Sequence, residues 1–366
     1  MRTDTTAISC FPHFYDATEH FARRFDRAGR QWAFRGRTRR EAAAWQRRLR
    51  AKLIEVLGLD TFEPARPRPA RVGREDMGDH WREDWTIRTE PDVVATFYAL
   101  VPKGIGRGER RPAVICPHGH GSAGRFSPAG RRDIEIVARQ IEAFNYDYAV
   151  QFARRGLVAF AMDARGFGQR RVQGKREDKK DASLFIANSC HELMLMGQPL
   201  GQSVAGMWTW DLMRLVDYAA GRPEVDPRRI GCAGLSGGGL QTLYLGAVDR
   251  RIRAAVISGY FYGAKDSLIR LAGNCDCNCV PHLWKYADVG DVAGLIAPRP
   301  LLIETGDEDP LNGAAGLGNV YPQVRAARKV YRALAAGRQL RHHVFHGGHR
   351  WCGEQALPWM DARLGA

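Results

Sequence analysis

The stretch Ile230-Gly231-Cys232-Ala233-Gly234-Leu235-Ser236-Gly237-Gly238-Gly239-Leu240 constrains this chain more than any other. An apolar run climbs to Gly234, a serine stands at the centre of Gly-x-Ser-x-Gly, and a helix-compatible segment, Leu240 to Val248, follows. A serine held where a strand turns sharply into a helix adopts strained dihedrals, and its Oγ stands clear only if the flanking backbone is bare. Gly234 and Gly238 let strand and helix approach as closely as that turn demands. Five residues recur by chance, so the surrounding strand–turn–helix setting carries the weight.

The chain has 366 residues, 45% hydrophobic and 26% charged, in the range of a globular enzyme with a sizeable core. Its net charge is +15. The basic residues are scattered in short runs such as Arg37–Arg40 and Arg47–Arg50, and no nucleic-acid motif accompanies them. They read as a solvated face that favours anionic substrates, not as a nucleic-acid surface. No secretory apolar segment opens the chain and no stretch reaches the length of a membrane span, so a cytoplasmic protein with reduced thiols and no membrane partner is expected. Of eight cysteines, only Cys275, Cys277 and Cys279 cluster. Zinc ligands usually come as Cys-x2–4-Cys with a second pair at a distance, so the spacing favours packing, and neither metal nor cofactor is expected.

From Thr18 to Leu59 the pattern is helical, with Gly58 as its C-cap, and Thr61–Arg74 reads as an extended connector. This divides the chain into an N-terminal helical extension and linker, 1–75, and a catalytic domain, 76–366. The extension's apolar stripe needs a surface to cover it, either the main body or a second copy in a homo-oligomer. Trp81–Arg88 and Val93–Val101 form a hairpin around Glu90-Pro91-Asp92. Beyond residue 112, strands at Pro112–Pro117, Leu157–Met162, 230–235, Ile252–Ser258, Pro300–Thr305 and Leu340–Phe345 alternate with helices at Ile134–Arg154, Gly201–Ala220, Val320–Ala336 and Gly353–Leu364. Such alternation predicts an α/β fold with a mostly parallel sheet. Residues 1–20 read as a frayed end, 169–190 as a polar surface excursion, and Gly259–Val292 as irregular.

An activated serine needs a base, and the base needs an orienting acid. The strand at 300–305 ends in Gly306-Asp307-Glu308-Asp309-Pro310, and the strand at 340–345 ends in His346-Gly347-Gly348-His349. Acid and base thus follow Ser236 in chain order at successive strand ends. His349 is the expected base, because two glycines allow a turn back toward Ser236. His346 sits where its strand ends, and His342 and His343 read as strand residues. Asp309 is the expected acid: Pro310 restricts its backbone, whereas Asp307 lies early in the turn, near free N–H groups. Oxyanion donors are expected from the N–H groups of Gly237 and of His120, in the loop His118-Gly119-His120-Gly121. His118 and His120 lack a nearby carboxylate or cysteine in sequence to complete a metal site. Arg165 is expected to pair with a carboxylate and fix its loop. Trp208, Trp210, Phe261, Tyr262, Trp284 and Tyr286 divide between core and a substrate pocket.

Pro117-His118-Gly119-His120-Gly121, Asp163-Ala164-Arg165-Gly166-Phe167-Gly168, Gly234-Leu235-Ser236-Gly237-Gly238, Cys275-x-Cys277-x-Cys279-x-Pro281, Ala297-Pro298-Arg299-Pro300-Leu301 and Gly347-Gly348-His349 together resemble the α/β-hydrolase superfamily. The likeness is to its acetylxylan-esterase-like and dienelactone-hydrolase-like branch, over roughly residues 80–366. It implies an α/β-hydrolase fold with Ser–Asp–His machinery, and the expected activity is hydrolysis of carboxylic esters, short-acyl or small-molecule ones, through an acyl-serine. Dienelactone hydrolases proper use cysteine where this chain has Ser236. The same residues would serve amide, peptide or C–C bond hydrolysis, and a non-catalytic binding protein of this fold is the remaining alternative.

Overall fold

A computed structural model describes residues 16–172, 182–271 and 274–366. The expected frayed end lies largely in 1–15 and the middle of the expected polar excursion in 173–181, outside the described residues. Among the described residues nine strands, β1 (Ala70–Asp76), β2 (His80–Glu90), β3 (Val93–Pro102), β4 (Arg111–Ile115), β5 (Val158–Met162), β6 (Val225–Leu235), β7 (Ile252–Ser258), β8 (Leu301–Gly306) and β9 (Leu340–Phe345), form one sheet. Their order is β1-β2-β3-β5-β4-β6-β7-β8-β9. Pairing is antiparallel from β1 to β5 and parallel from β5 to β9. The α/β class and mixed, mostly parallel sheet follow the expectation.

Eleven helices surround the sheet among the described residues: α1 (Thr18–Ala28), α2 (Arg39–Leu57), α3 (Glu135–Phe144), α4 (Tyr148–Arg154), α5 (Cys190–Gly197), α6 (Val204–Ala220), α7 (Gly237–Val248), α8 (Leu283–Tyr286), α9 (Val289–Ala293), α10 (Leu317–Ala333) and α11 (Ala356–Leu364). The central strands are apolar on both faces because helices cover both. Ala233, Leu235, Val256 and Leu302 pack with α3, α4 and α11. Their alternate neighbours Ala255, Ile257, Leu301 and Ile303 pack with α2, α7, α9 and α10, as the two-residue side-chain period requires. Helix α2 starts at a reciprocal cap, with Glu41 N–H donating to Thr38 Oγ1 (3.2 Å) and Thr38 N–H to Glu41 Oε2 (2.8 Å). It ends at Gly58 in the left-handed conformation.

Two sequence expectations need correction. The single helix over Ile134–Arg154 is two, because Asn145 takes a left-handed φ of 53° and ends α3. Its side-chain amide then holds the Trp351 carbonyl (3.1 Å). The connector 61–74 ends inside the sheet: β1 pairs with β2 from Ala70↔Thr86 to Asp76↔Trp81. Every residue of β1 is exposed, so it carries no apolar alternation to reveal it.

Candidate active site

The order of the sheet reverses at β4, which has β5 on one side and β6 on the other. Loops leaving the carboxyl ends of β4 and β6 therefore diverge, and the crevice between them is where parallel sheets bind ligands. Ser236 stands there, between β6 and α7, with φ 60° and ψ −122°. That conformation costs on the order of 1–3 kcal/mol for a non-glycine residue and is held by its surroundings. A Cβ on Gly234 would lie 2.5 Å from the Gly238 backbone, and one on Gly238 would lie 2.1 Å from the Pro117 carbonyl oxygen. Ser236 N–H donates to the Ser258 carbonyl (2.9 Å), which ties the turn to β7.

His349 and Asp309 arrive from the turns after β9 and β8. These turns pack backbone to backbone, since a Cβ on Gly306 would meet the Gly347 oxygen at 2.4 Å. His349 Nδ1 lies 2.7 Å from Asp309 Oδ2, and Asp309 Oδ1 accepts the Leu311 N–H (2.9 Å). Asp307 is engaged elsewhere, accepting the Gly347 N–H (2.9 Å) beside His346 Nδ1 (3.4 Å). Ser236 and His349 line one cavity of ≈ 470 Å³ with His120, Phe144, Tyr146, Leu271, Asn274, Cys275, Pro310 and Leu311.

The loop after β4 is fixed by a polar network. His118 Nε2 accepts the Ala164 N–H (3.0 Å), so Nδ1 carries the hydrogen and faces the Gly119 carbonyl (2.9 Å). Burial holds this imidazole down to about 4, and hence neutral. Ser122 Oγ–H donates to the same carbonyl (2.7 Å). In a trans peptide the N–H points opposite the C=O, so anchoring the Gly119 carbonyl aims the His120 N–H away from this network. Tyr146 Oη accepts the Gly119 N–H (3.0 Å) and donates to the His120 carbonyl (3.3 Å). Gly119 also presses on the elbow: a Cβ there would sit 2.9 Å from the Gly237 nitrogen.

Arg165 does not face the cavity. It pairs with Asp211 (2.9 Å) and Glu90 (2.6 Å), and Arg170 reaches the same Asp211 (2.8 Å). Burial pushes the Asp211 carboxyl up, but Arg170 and Arg165 outweigh it and bring it down to about 2. Arg170 lies in the span read as a surface excursion, yet its side chain is buried. None of the six aromatics named from the sequence lines the cavity; Phe144 and Tyr146 do. Tyr146 follows the helix break that periodicity could not locate. Gly259 was also missed: at φ 58°, its lack of a side chain leaves room for His349, whose Cε1 would lie 2.9 Å from a Cβ.

The sequence profile of the abhydrolase family matches residues 26–313. The chain belongs to the abhydrolase family. Among curated relatives, this abhydrolase is 29% identical over 219 residues to "Putative hydrolase YtaP" of Bacillus subtilis (strain 168). That match spans 59% of this chain and 66% of the relative, just under two thirds of its length. Among solved structures, a "putative acetyl xylan esterase" from Bacteroides fragilis NCTC 9343 superposes with a TM-score of 0.71 at 20% identity. The likeness covers 92% of this chain and 83% of that one. A glucuronoyl esterase from Solibacter usitatus superposes with a TM-score of 0.60 at 17% identity, over 88% and 93% of the two chains. At such identities these likenesses establish the shared abhydrolase fold.

Proposed function

We propose that this abhydrolase is a serine hydrolase that cleaves short-acyl, small-molecule carboxylic esters. The observation that carries the reading is the convergence of Ser236 and the Asp309-bound His349 on one cavity. Asp309 accepts a hydrogen bond from the Nδ1–H of His349, which leaves Nε2 as the acceptor. Ser236 Oγ attacks the ester carbonyl as His349 Nε2 takes its proton, and the oxyanion receives the N–H groups of Gly237 and His120. His349 then protonates the leaving alcohol. Water repeats the sequence on the acyl-serine and frees the acid. The cavity volume suits a small ester, and the apolar side chains of Phe144, Leu271, Pro310 and Leu311 suit an acyl chain. Acetyl xylan and glucuronoyl esterases share the fold, so acetylated and uronate sugars are the first natural esters to try.

The test is turnover of p-nitrophenyl esters of graded acyl length by wild type and Ser236→Ala, with fluorophosphonate labelling in parallel. Short esters should be hydrolysed by wild type alone, and the label should map to Ser236. Labelling at another serine, or equal turnover by Ser236→Ala, overturns the reading.

A further inference from the structure

Sequence spacing treats Cys275, Cys277 and Cys279 as packing residues. The fold divides them. Cys279 is exposed, whereas Cys275 and Cys277 meet Cys190 and His120, which arrive from distant parts of the chain. Cys190 opens α5, Cys275 and Cys277 stand on the short turn at 275–278, and His120 comes from the loop after β4. One ligand atom from each of the four residues lies within 4.8 Å of all the others.

We propose that His120, Cys190, Cys275 and Cys277 bind a divalent transition-metal ion, zinc by ligand chemistry, in a closed four-ligand site behind one wall of the cavity. With Zn–S about 2.3 Å and Zn–N about 2.0–2.1 Å, tetrahedral geometry requires N···S edges of about 3.6 Å and S···S edges of about 3.8 Å. His120 Nε2 lies 3.7 Å from Cys277 Sγ, already at such an edge. The other pairs lie within 4.8 Å and need a contraction of at most about 1.2 Å for N···S and about 1 Å for S···S to reach these values. Three soft sulfurs and one imidazole select zinc over the hard cations that prefer oxygen.

Buried cysteines that merely pack look different in the same molecule. Cys116 Sγ faces the Val114 carbonyl (3.7 Å) and Cys232 Sγ faces the Thr242 hydroxyl (3.3 Å), and among the described residues neither belongs to a cluster of three or more ligating side chains. The four-residue set also has outer support of the kind that orients metal ligands. Asn278 Nδ2 donates to the Cys275 carbonyl (2.9 Å) and lies 3.9 Å from Cys277 Sγ. His191, next to Cys190, faces Asp276 in the turn (3.4 Å), and Gln198 holds the Cys279 carbonyl (3.0 Å). Cys275 and His120 line the cavity, which gives a metal ion an entry path.

Four protein ligands leave no open position, so the ion would be structural and no bond-making step passes through it. Its effect falls on His120. Ligation at Nε2 leaves the hydrogen on Nδ1, the atom that lies 3.1 Å from where a Cβ on Gly237 would sit. The ion would thus pin the His120 loop against the elbow and join it to α5 and the 275–278 turn.

The experiment measures bound metal, so it stands or falls separately from ester turnover. Full-length protein is purified under reducing, chelator-free conditions, analysed by mass spectrometry for metals, then stripped and refilled with Co²⁺. Wild type should carry about one ion per chain and, with cobalt, show thiolate-to-cobalt charge transfer and the intense visible bands of a tetrahedral ion. Cys190→Ser and Cys277→Ser should lower occupancy at least tenfold, while Cys279→Ser leaves it unchanged. Wild-type protein that takes up only trace metal with its thiols reduced, or a cobalt complex without thiolate charge transfer, overturns the proposal. Equal loss in Cys279→Ser and Cys190→Ser overturns it as well. The wild-type measurements decide the matter even if a variant fails to fold.

Discussion

His349 Nδ1 and Asp309 Oδ2 lie 2.7 Å apart, and the second Asp309 oxygen is held by the Leu311 N–H. The carboxylate is therefore fixed at both oxygens, one by backbone and one by imidazole. Its neighbour Asp307 is spent on the Gly347 N–H and His346.

This division predicts which acidic variant loses activity. Asp309→Asn presents an amide where the imidazole needs an acceptor and favours the wrong tautomer, at a cost of about 10⁴ in kcat on the serine-protease template. Asp307→Asn and Glu308→Gln should stay within about tenfold of wild type on the same template. Steady-state kcat for the three purified variants, with circular dichroism to verify folding, checks the ordering. A crippled Asp307→Asn would move the acid by two positions.

Gly259 makes a second prediction. An alanine Cβ would lie 2.9 Å from both His349 Cε1 and Leu235 Cδ1, at a φ of 58° that already disfavours a side chain. The imidazole must shift, and misplacing a catalytic group by about 1 Å costs on the order of 10² in rate. Gly259→Ala should therefore lose kcat and fluorophosphonate reactivity together while retaining its circular dichroism. Unchanged labelling kinetics would show that the ring has room to spare.

Much of this site was legible because its chemistry sits in short, ordered motifs. Ser236 and the Asp309 turn each follow an apolar strand, His349 follows a mixed one, and glycines flank Ser236 and precede His349. What stayed hidden has no local signature. Tyr146 acts at a helix break set by one asparagine, Gly259 acts through the space it leaves, and β1 has no buried face. Cys190 and His120 are 70 residues apart in sequence, so no spacing rule pairs them with Cys275 and Cys277.

Asp211 links pH to stability. Its carboxyl is buried and, through Arg170 and Arg165, held at about 2 in place of the ordinary 3.8. In that window the unfolded chain binds the proton and the folded chain does not. The contribution, about 2 kcal/mol, is thus complete above pH 3.8 and lost as pH falls toward 2. Asp211→Asn leaves two buried guanidinium groups short of a partner, so about 3–5 kcal/mol should be lost at neutral pH. Urea midpoints should show the gap between variant and wild type narrowing as pH falls from 4 to 2. A gap that widens there would reverse the assigned sign.

The last prediction concerns α2, which the sequence treats as an addition to the main body. Leu49, Leu53 and Leu57 are buried in the same core as Leu240, Leu243 and Ala247 of α7. Gln46 Nε2 donates to the Gly294 and Ala297 carbonyls (2.8 and 2.7 Å), and Arg50 holds those of Ala247 and Leu295 (2.8 and 2.7 Å). Helix α7 begins at the residue after Ser236, so α2 braces the far end of the element that carries the candidate nucleophile. Leu53→Ala opens a cavity in that contact and should cost about 2–5 kcal/mol. Removing residues 1–58 would expose to water the part of this core that Leu49, Leu53 and Leu57 cover and should yield insoluble or partly unfolded protein. Urea denaturation of Leu53→Ala and gel filtration of the truncated chain test both statements. A truncated protein that keeps the wild-type elution volume per mass and the wild-type unfolding midpoint would show that α2 adds nothing to the core it touches.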